Sequence, residues 1–443
     1  MTEITGQTLL QWGYKPGAYF KQAISDANGL AAMGRSEAYI RAHIDELLPP
    51  PVIPLRPSGA LPYHLNIRAE NEIEAANVAA VEQTMVELMR VPTVVAGAVM
   101  PDACPAGEIC VGGVVATKEA IHPGYHSADI CCSMSISILG NVDPAVVMDV
   151  AMKSVHFGYG GRPDVIEPDG ALMDDFEHNS FLKQFMPLAI RDHGSSGDGN
   201  HHVFVGHMKS TGEVAMVTHW GSRGPGAALY KAGMRTAEGF RSRLSPETPK
   251  GSAWIPSETA EGEAYWRALG LIEEWTGSSH RAVHSLIAER LGVRIKDQWF
   301  NPHNFIFRRS DGLFYHAKGA TPGWSDYDLT LVPLNMAEPV LITRGRDAAN
   351  GLGFLPHGAG RNMSRTRYLR DNLEHPFPPG IDVRFFSGTP DHSELPGAYK
   401  NAATVRAQID EFGLADVVDE VLPYGTIMAG ELEKFWLKPK VSA

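Results

Sequence analysis

Apolar side chains recur at helical spacing over the first 48 residues. In SEAYIRAHIDELL, Ile40, Ile44, Leu47 and Leu48 share one face, and Pro49 to Pro51 end the run. Six prolines between Pro49 and Pro62 then predict a stiff linker or an extended arm. From Ile73, the series Val78, Val81, Met85, Leu88, Met89 predicts an amphipathic helix ending near Pro92, and TVVAGAV after it has the composition of a buried strand. Beyond Pro101 the pattern shortens. MSISIL at 134–139, HHVFV at 201–205, EVAMV at 213–217 and FIFRR at 305–309 read as strands separated by glycine-rich turns. Helices are expected at 143–153, about 260–276, 281–291 with Gly292 as its stop, 404–412 and 415–422. Strands and helices neither alternate strictly nor segregate, so the fold class is α+β.

Composition narrows this picture without changing it. A chain of 443 residues is two to three average domains long, and 44% apolar with 20% charged residues is ordinary for a soluble globular protein. Lys and Arg number 39 against 51 Asp and Glu, a formal charge of −12. That argues against a broad non-specific nucleic-acid surface, though not against a local basic pocket for one phosphate or strand end. The N-terminus lacks the cationic and apolar segments of a signal peptide, and no apolar run approaches membrane-spanning length. The four cysteines, Cys104, Cys110, Cys131 and Cys132, sit in one short segment, which suits metal ligation or buried thiols better than a disulfide framework. A cytoplasmic location is the expectation.

Residues able to hold a metal occur at the mouths of the predicted strands. HSADICCSM contains Asp129, Cys131 and Cys132; Asp at i and Cys at i+3 in a turn can converge on one or two divalent ions, and a thiolate can bridge two. A buried cysteine pair with Asp129 capping a turn is the plainer alternative. GSSGDGNHHVFV supplies Asn200, His201 and His202, VTHWGSRG supplies His219, Ser222 and Arg223, and NPHNFIF supplies His303 and Asn304. Each alone is weak, and a mixed His/Cys/Asp set suits Mn, Zn or Fe better than Mg or Ca. LPHGAGRNMSRTR is the most specific segment. There His357 is flanked by glycines, with Arg361, Arg365 and Arg367 nearby. Backbone amides and guanidinium groups of this kind suit a phosphate and its transition state, and the histidine could attack phosphorus to give a phosphoramidate.

Taken in order, MPDACPAGEICVGGVVATKEAI, HSADICCSM, GDGNHH, HWGSRG, HNF, HAKGATP, HGAGRNMSR and ELPGAYK resemble the RtcB family of tRNA-splicing and RNA-repair ligases. The resemblance runs from about residue 65 to 430. It implies an RtcB-like catalytic domain over 65–443, with mixed sheets and surrounding helices about a metal-containing cleft, preceded by a helical extension and Pro-rich linker over 1–64. It further implies two Mn²⁺ ions, one held by Cys132, His201 and His219 and the other by Asp129, Cys132 and His303. His357 would be guanylylated by GTP and pass the guanylyl group to an RNA 3′-phosphate, which a 5′-hydroxyl then attacks; a 2′,3′-cyclic phosphate would first be opened at the same site. Asn200, Asn304 and the amides of Gly358, Ala359 and Gly360 would hold nucleotide phosphates, with Pro333 beside them. Arg361 and Arg223 would neutralise charge, and Tyr399 would stack on the base. The implied partners are RNA ends, tRNA among them, and an archease-like activator, with no membrane.

The departures from the family pattern gather around the base. Where the family carries a guanine-contacting glutamate this chain has Phe204, PGSMG becomes PLNMAE, a later serine becomes Val340, and the C-terminal lysine becomes Ala429. The early PDxH motif reads PDAC, with Cys104 for histidine. Nucleotide choice is therefore open. So are two other readings of the same residues: a cyclic phosphodiesterase or nucleotidyltransferase with another acceptor, and a non-ligating sensor of RNA ends.

Overall fold

A computed structural model describes residues 3–48, 51–371 and 376–432. Pro49 and Pro50, the expected stop of the third helix, lie outside the described residues. The leading segment forms three helices, Gly6–Gln11, Phe20–Ala32 and Glu37–Glu46. Thr5 and Ser36 cap the first and third by accepting from the amides of Thr8 and Tyr39. Ile4, Leu9, Ala23, Ala27, Ile40 and Ile44 form a small core belonging to this unit. The arm that follows is pinned to the body. Arg56 donates to the carbonyls of Met89, Val91, Pro92 and Val94, and the Ile53 amide donates to Leu244 at 2.7 Å.

Two sheets build the body. The larger runs in the order Thr330–Pro333, Val340–Gly345, Ala415–Met428, His202–Met208, Val214–Trp220, Ser133–Gly140 and Asp297–Pro302, with Asp382–Phe385 added in parallel beside Ala415–Met428. The smaller joins His64–Leu65, Val94–Cys104, Val111–Thr117, Phe314–Lys318 and Asn304–Arg308. Val214–Trp220 and Ser133–Gly140 are buried along their whole length, as strands covered on both faces must be. The α+β class stands.

The expected strands and the helices at 143–153 and 404–412 form as read, within a few residues. Two expectations are corrected. The pair at 260–276 and 281–291 is one helix, Ala260–Leu291, which continues through Gly277, Ser278 and Ser279. The helix packs there against the large sheet and the loop before His202: Gly277 lies beside the Phe300 ring, and Ser279 accepts from the Gly194 amide. The segment 415–422 is part of the strand Ala415–Met428. Val417, Val418, Val421 and Leu422 satisfy helical spacing, but β-branched composition and pairing on both sides decide the matter. A further helix, Arg223–Leu244, had been hidden by the glycines and Pro225 of its first turn.

Behind the large sheet lies a buried polar network. His280 and His284 from the long helix both bond Thr218 at 2.7 Å, and reach Ser133 and Ser137. Burial pushes His284 down to about 3. It does the same to His122, to about 3, and to His126, to about 4, in each case against an opposing carbonyl bond. These three rings are neutral in the folded chain yet take up protons near pH ~6.5 once unfolded. The unfolded state therefore binds more protons below that pH, and stability falls as pH falls, by roughly 1 kcal/mol per ring per pH unit until about pH 4. Urea midpoints taken from pH 7.5 to 5 should drop steeply; a flat profile would contradict the neutral assignment.

Candidate active site

Strand register gathers the predicted ligands at one end of the large sheet. His202 pairs with His219, Met134 with His219, and Ser133 with Pro302. Cys132, just before one strand, His201, just before another, His219 near the end of a third, and His303, just after a fourth, are thereby brought together. Asp129 enters from the turn before Cys132. Gly221 is obligatory beside it, since a Cβ there would fall 2.2 Å from Asp129 Oδ1. Ser127, Cys131 and Arg223 hold positive φ angles of 69°, 57° and 53° around the same spot, strain of the kind functional sites retain.

The five side chains form two triads that share one sulfur: Cys132, His219 and His303, and Asp129, Cys132 and His201, with ligand atoms within 4.8 Å of one another in each. The resemblance implies another grouping of the same five residues, with His201 beside Cys132 and His219, and His303 beside Asp129 and Cys132. Cys132 Sγ lies 3.2 Å from His219 Nε2 and 3.5 Å from His201 Nε2, and the Nε2 atoms of His219 and His303 are 3.1 Å apart. His201 donates from Nδ1 to the Ser196 carbonyl at 2.6 Å, which turns Nε2 toward Asp129 Oδ2, 3.3 Å away. Both atoms are of the kind that ligate divalent ions, and they belong to one group of three such donors. Burial, then the neighbouring imidazoles, hold His219 and His303 far below the usual histidine range, so both are neutral donors. Burial and Asp129 push the Cys132 thiol well up; a bound divalent ion would displace that proton. One thiolate, one carboxylate and three neutral imidazoles fit a pair of transition-metal ions.

His357 stands beside this cluster, its ring centroid 4.7 Å from that of His303. It follows the short strand Phe354–Pro356, which pairs with Ala320–Pro322. Its Nδ1 faces two acceptors, Asp102 Oδ2 at 2.7 Å and the Gly319 carbonyl at 2.9 Å, so Nδ1 carries a proton, and the neutral tautomer with that proton has its lone pair on Nε2. Asp102 is fully buried, and its Oδ1 has no hydrogen-bond partner. Gly360, at φ 72°, lies against it: a Cβ there would meet the Asp102 carbonyl at 1.9 Å.

A cavity of about 250 Å³ opens on His357. Asn200, Pro333, Gly358, Ala359, Gly360, Arg361 and Tyr399 all line it, as does His219. Asn304 stands elsewhere in the arrangement; its Oδ1 accepts from the Gly319 amide and so braces the turn whose carbonyl holds His357. Arg223 bonds Ser195 and the Gly158 carbonyl. Arg361 covers the Tyr399 ring at 5.2 Å, and Arg361, Arg365 and Tyr399 all engage the buried Glu394.

The family model described as tRNA-splicing ligase RtcB matches residues 140–429, well over half the chain. The chain belongs to the RtcB family. Relatives bearing that name include one from Pyrococcus abyssi, 27% identical over 330 residues that cover 63% of this chain and 36% of the relative. Another, from Thermococcus kodakarensis, is 26% identical over 63% of this chain and 68% of its own length, and one from Aeropyrum pernix is 28% identical over 52% and 58%. The chain thus spans about a third of the first of these RtcB proteins and about two thirds of the second. His201, His219, His303, His357 and Tyr399 fall within the matched RtcB region; Asp102, Asp129 and Cys132 precede it.

Reading the sequence had not assigned roles to Asp102, Gly319, His202 or Glu394, although each lies in a segment quoted for the resemblance. An aspartate following proline in an otherwise apolar strand was the available signal for Asp102. Asp102→Asn should leave the fold intact but loosen the ring, slowing any reaction of His357 by about 10–100-fold, the usual cost of losing a group that orients a functional imidazole. Single-turnover kinetics on the variant would check this, and an unchanged rate would remove Asp102 from the machinery. Among the described residues no helix is long and apolar enough to cross a membrane.

Proposed function

We propose that this chain is an RNA ligase joining RNA 3′-phosphate or 2′,3′-cyclic phosphate ends to 5′-hydroxyl ends through a nucleotidylated His357. The observation that carries this reading is the His357 ring, with Nδ1–H held by Asp102 and Gly319, its Nε2 left as the nucleophile, and the five-donor cluster beside it. Nε2 attacks the α-phosphorus of a nucleoside triphosphate, GTP in this reading, and pyrophosphate leaves. The ring gains positive charge as the N–P bond forms, and the Asp102 carboxylate at Nδ1–H stabilises it. The nucleotidyl group passes to the RNA 3′-phosphate oxygen, freeing His357. The 5′-hydroxyl oxygen then attacks that 3′-phosphorus, losing its proton, and the nucleoside monophosphate departs.

Two Mn²⁺ ions held by Asp129, Cys132, His201, His219 and His303 would supply Lewis-acid activation of phosphoryl oxygens. Asn200, Arg361 and the turn Gly358–Gly360 line the space where phosphates would sit. An archease-like activator and tRNA halves belong to the same proposal. The test is direct. Protein supplied with Mn²⁺, a nucleoside triphosphate and RNA bearing 3′-phosphate and 5′-hydroxyl ends should yield a joined strand. Cyclic-phosphate opening without nucleotide and without joining would favour the phosphodiesterase instead.

A further inference from the structure

Part of the cleft wall comes from two paired strands. His202 and Phe204 alternate onto one face of His202–Met208, and Met428 and Thr426 stand opposite them in register. All four line the cavity that holds His357. Thr426 donates its hydroxyl proton to the Val203 carbonyl at 3.2 Å, and His202 donates from Nδ1 to the Asn200 carbonyl at 2.9 Å. These four side chains therefore offer an occupant a phenyl ring, a thioether, a methyl group and one acceptor, His202 Nε2; Asn335, whose Oδ1 accepts from the Ala337 amide at 2.9 Å, and Asn200 also line the cavity. Leu334, Met336 and Val340, all buried, extend the apolar surface. Of the charged lining groups, Arg361 and Arg365 each pair with Glu394.

A site identifies a base by several fixed donors and acceptors matched to its edge; apolar contact and stacking do not register the exocyclic groups. On the paired-strand wall the imidazole is the one acceptor, and it can take an N–H from adenine or from guanine alike. The larger purine ring also buries more apolar surface than a pyrimidine. We propose that this cleft takes purine nucleotides against the apolar wall and does not distinguish adenine from guanine. The inference rests on the reading that a nucleoside triphosphate serves His357.

Calorimetric titration of the full chain, supplied with Mn²⁺, with the α,β-methylene analogues of ATP, GTP and CTP separates the possibilities, because these analogues cannot yield pyrophosphate at the α-phosphorus. Expected are purine dissociation constants within about tenfold of each other and a CTP analogue weaker by at least about tenfold. A larger gap between the purines, or a CTP analogue bound as tightly, overturns the inference and leaves nucleotidyl transfer standing. Binding of none of the three removes that reading, and this one with it. Phe204→Leu should weaken both purine analogues equally, by about fivefold. Unequal weakening or unchanged affinities would show that the wall does not meet the base. Should that variant lose its cooperative melt, Met428→Ala offers the same comparison.

Discussion

His357→Ala is expected to abolish the protein–nucleotide adduct and lower strand joining by at least about 10⁴-fold, because no other group replaces a deleted nucleophile. With Mn²⁺ and an α-labelled nucleoside triphosphate, the parent chain should retain label that is stable to alkali and lost in acid, as a phosphoramidate behaves. The substitution removes a side chain that lines a cleft and is not fully buried, so the fold should survive. Thermal melting would verify that. Label retained by the variant would place the nucleophile elsewhere and remove the central claim. Loss of joining with the adduct intact would instead show that His357 acts after nucleotidylation.

The second large effect is expected at Cys132. Its sulfur belongs to both triads, so Cys132→Ala should empty both metal positions, whereas His303→Ala and Asp129→Ala should each release a single ion. Metal content measured by plasma mass spectrometry after gel filtration tests the asymmetry. Transition-metal sites of this donor type weaken steeply when a thiolate is lost, so joining should vanish along with the ions. Equal metal loss in all three variants would show that the donors do not divide as the distances indicate.

Much of this was visible in residue order. Glycine-rich turns bounded by apolar runs marked His201, His219 and His303 as strand-end residues, and the strands expected beside them form; the short strand Phe354–Pro356 before His357 was not expected. Which of these donors stand nearest one another was not visible, because that depends on strand order. The strand carrying His219 lies between those carrying His202 and Ser133, and Asp297–Pro302 lies beyond. Asp102 escaped for a similar reason: it meets His357 across 255 residues, and a lone aspartate inside an apolar strand has no periodic signature. The long helix and the strand at 415–428 were misread where tertiary pairing overrode local spacing, at Gly277 and across Val417 to Leu422.

The three leading helices keep their apolar side chains to themselves, and the six residues at their centre include two alanines. So small an interior can contribute only marginal stability on its own. The backbone that joins it to the two large sheets is fastened at Arg56 and Ile53, after the helices have ended. The molecule is therefore divided energetically into a fragile head and a robust trunk. Heat would reach the head first, and its loss would leave the seam at Arg56, and everything beyond it, in place.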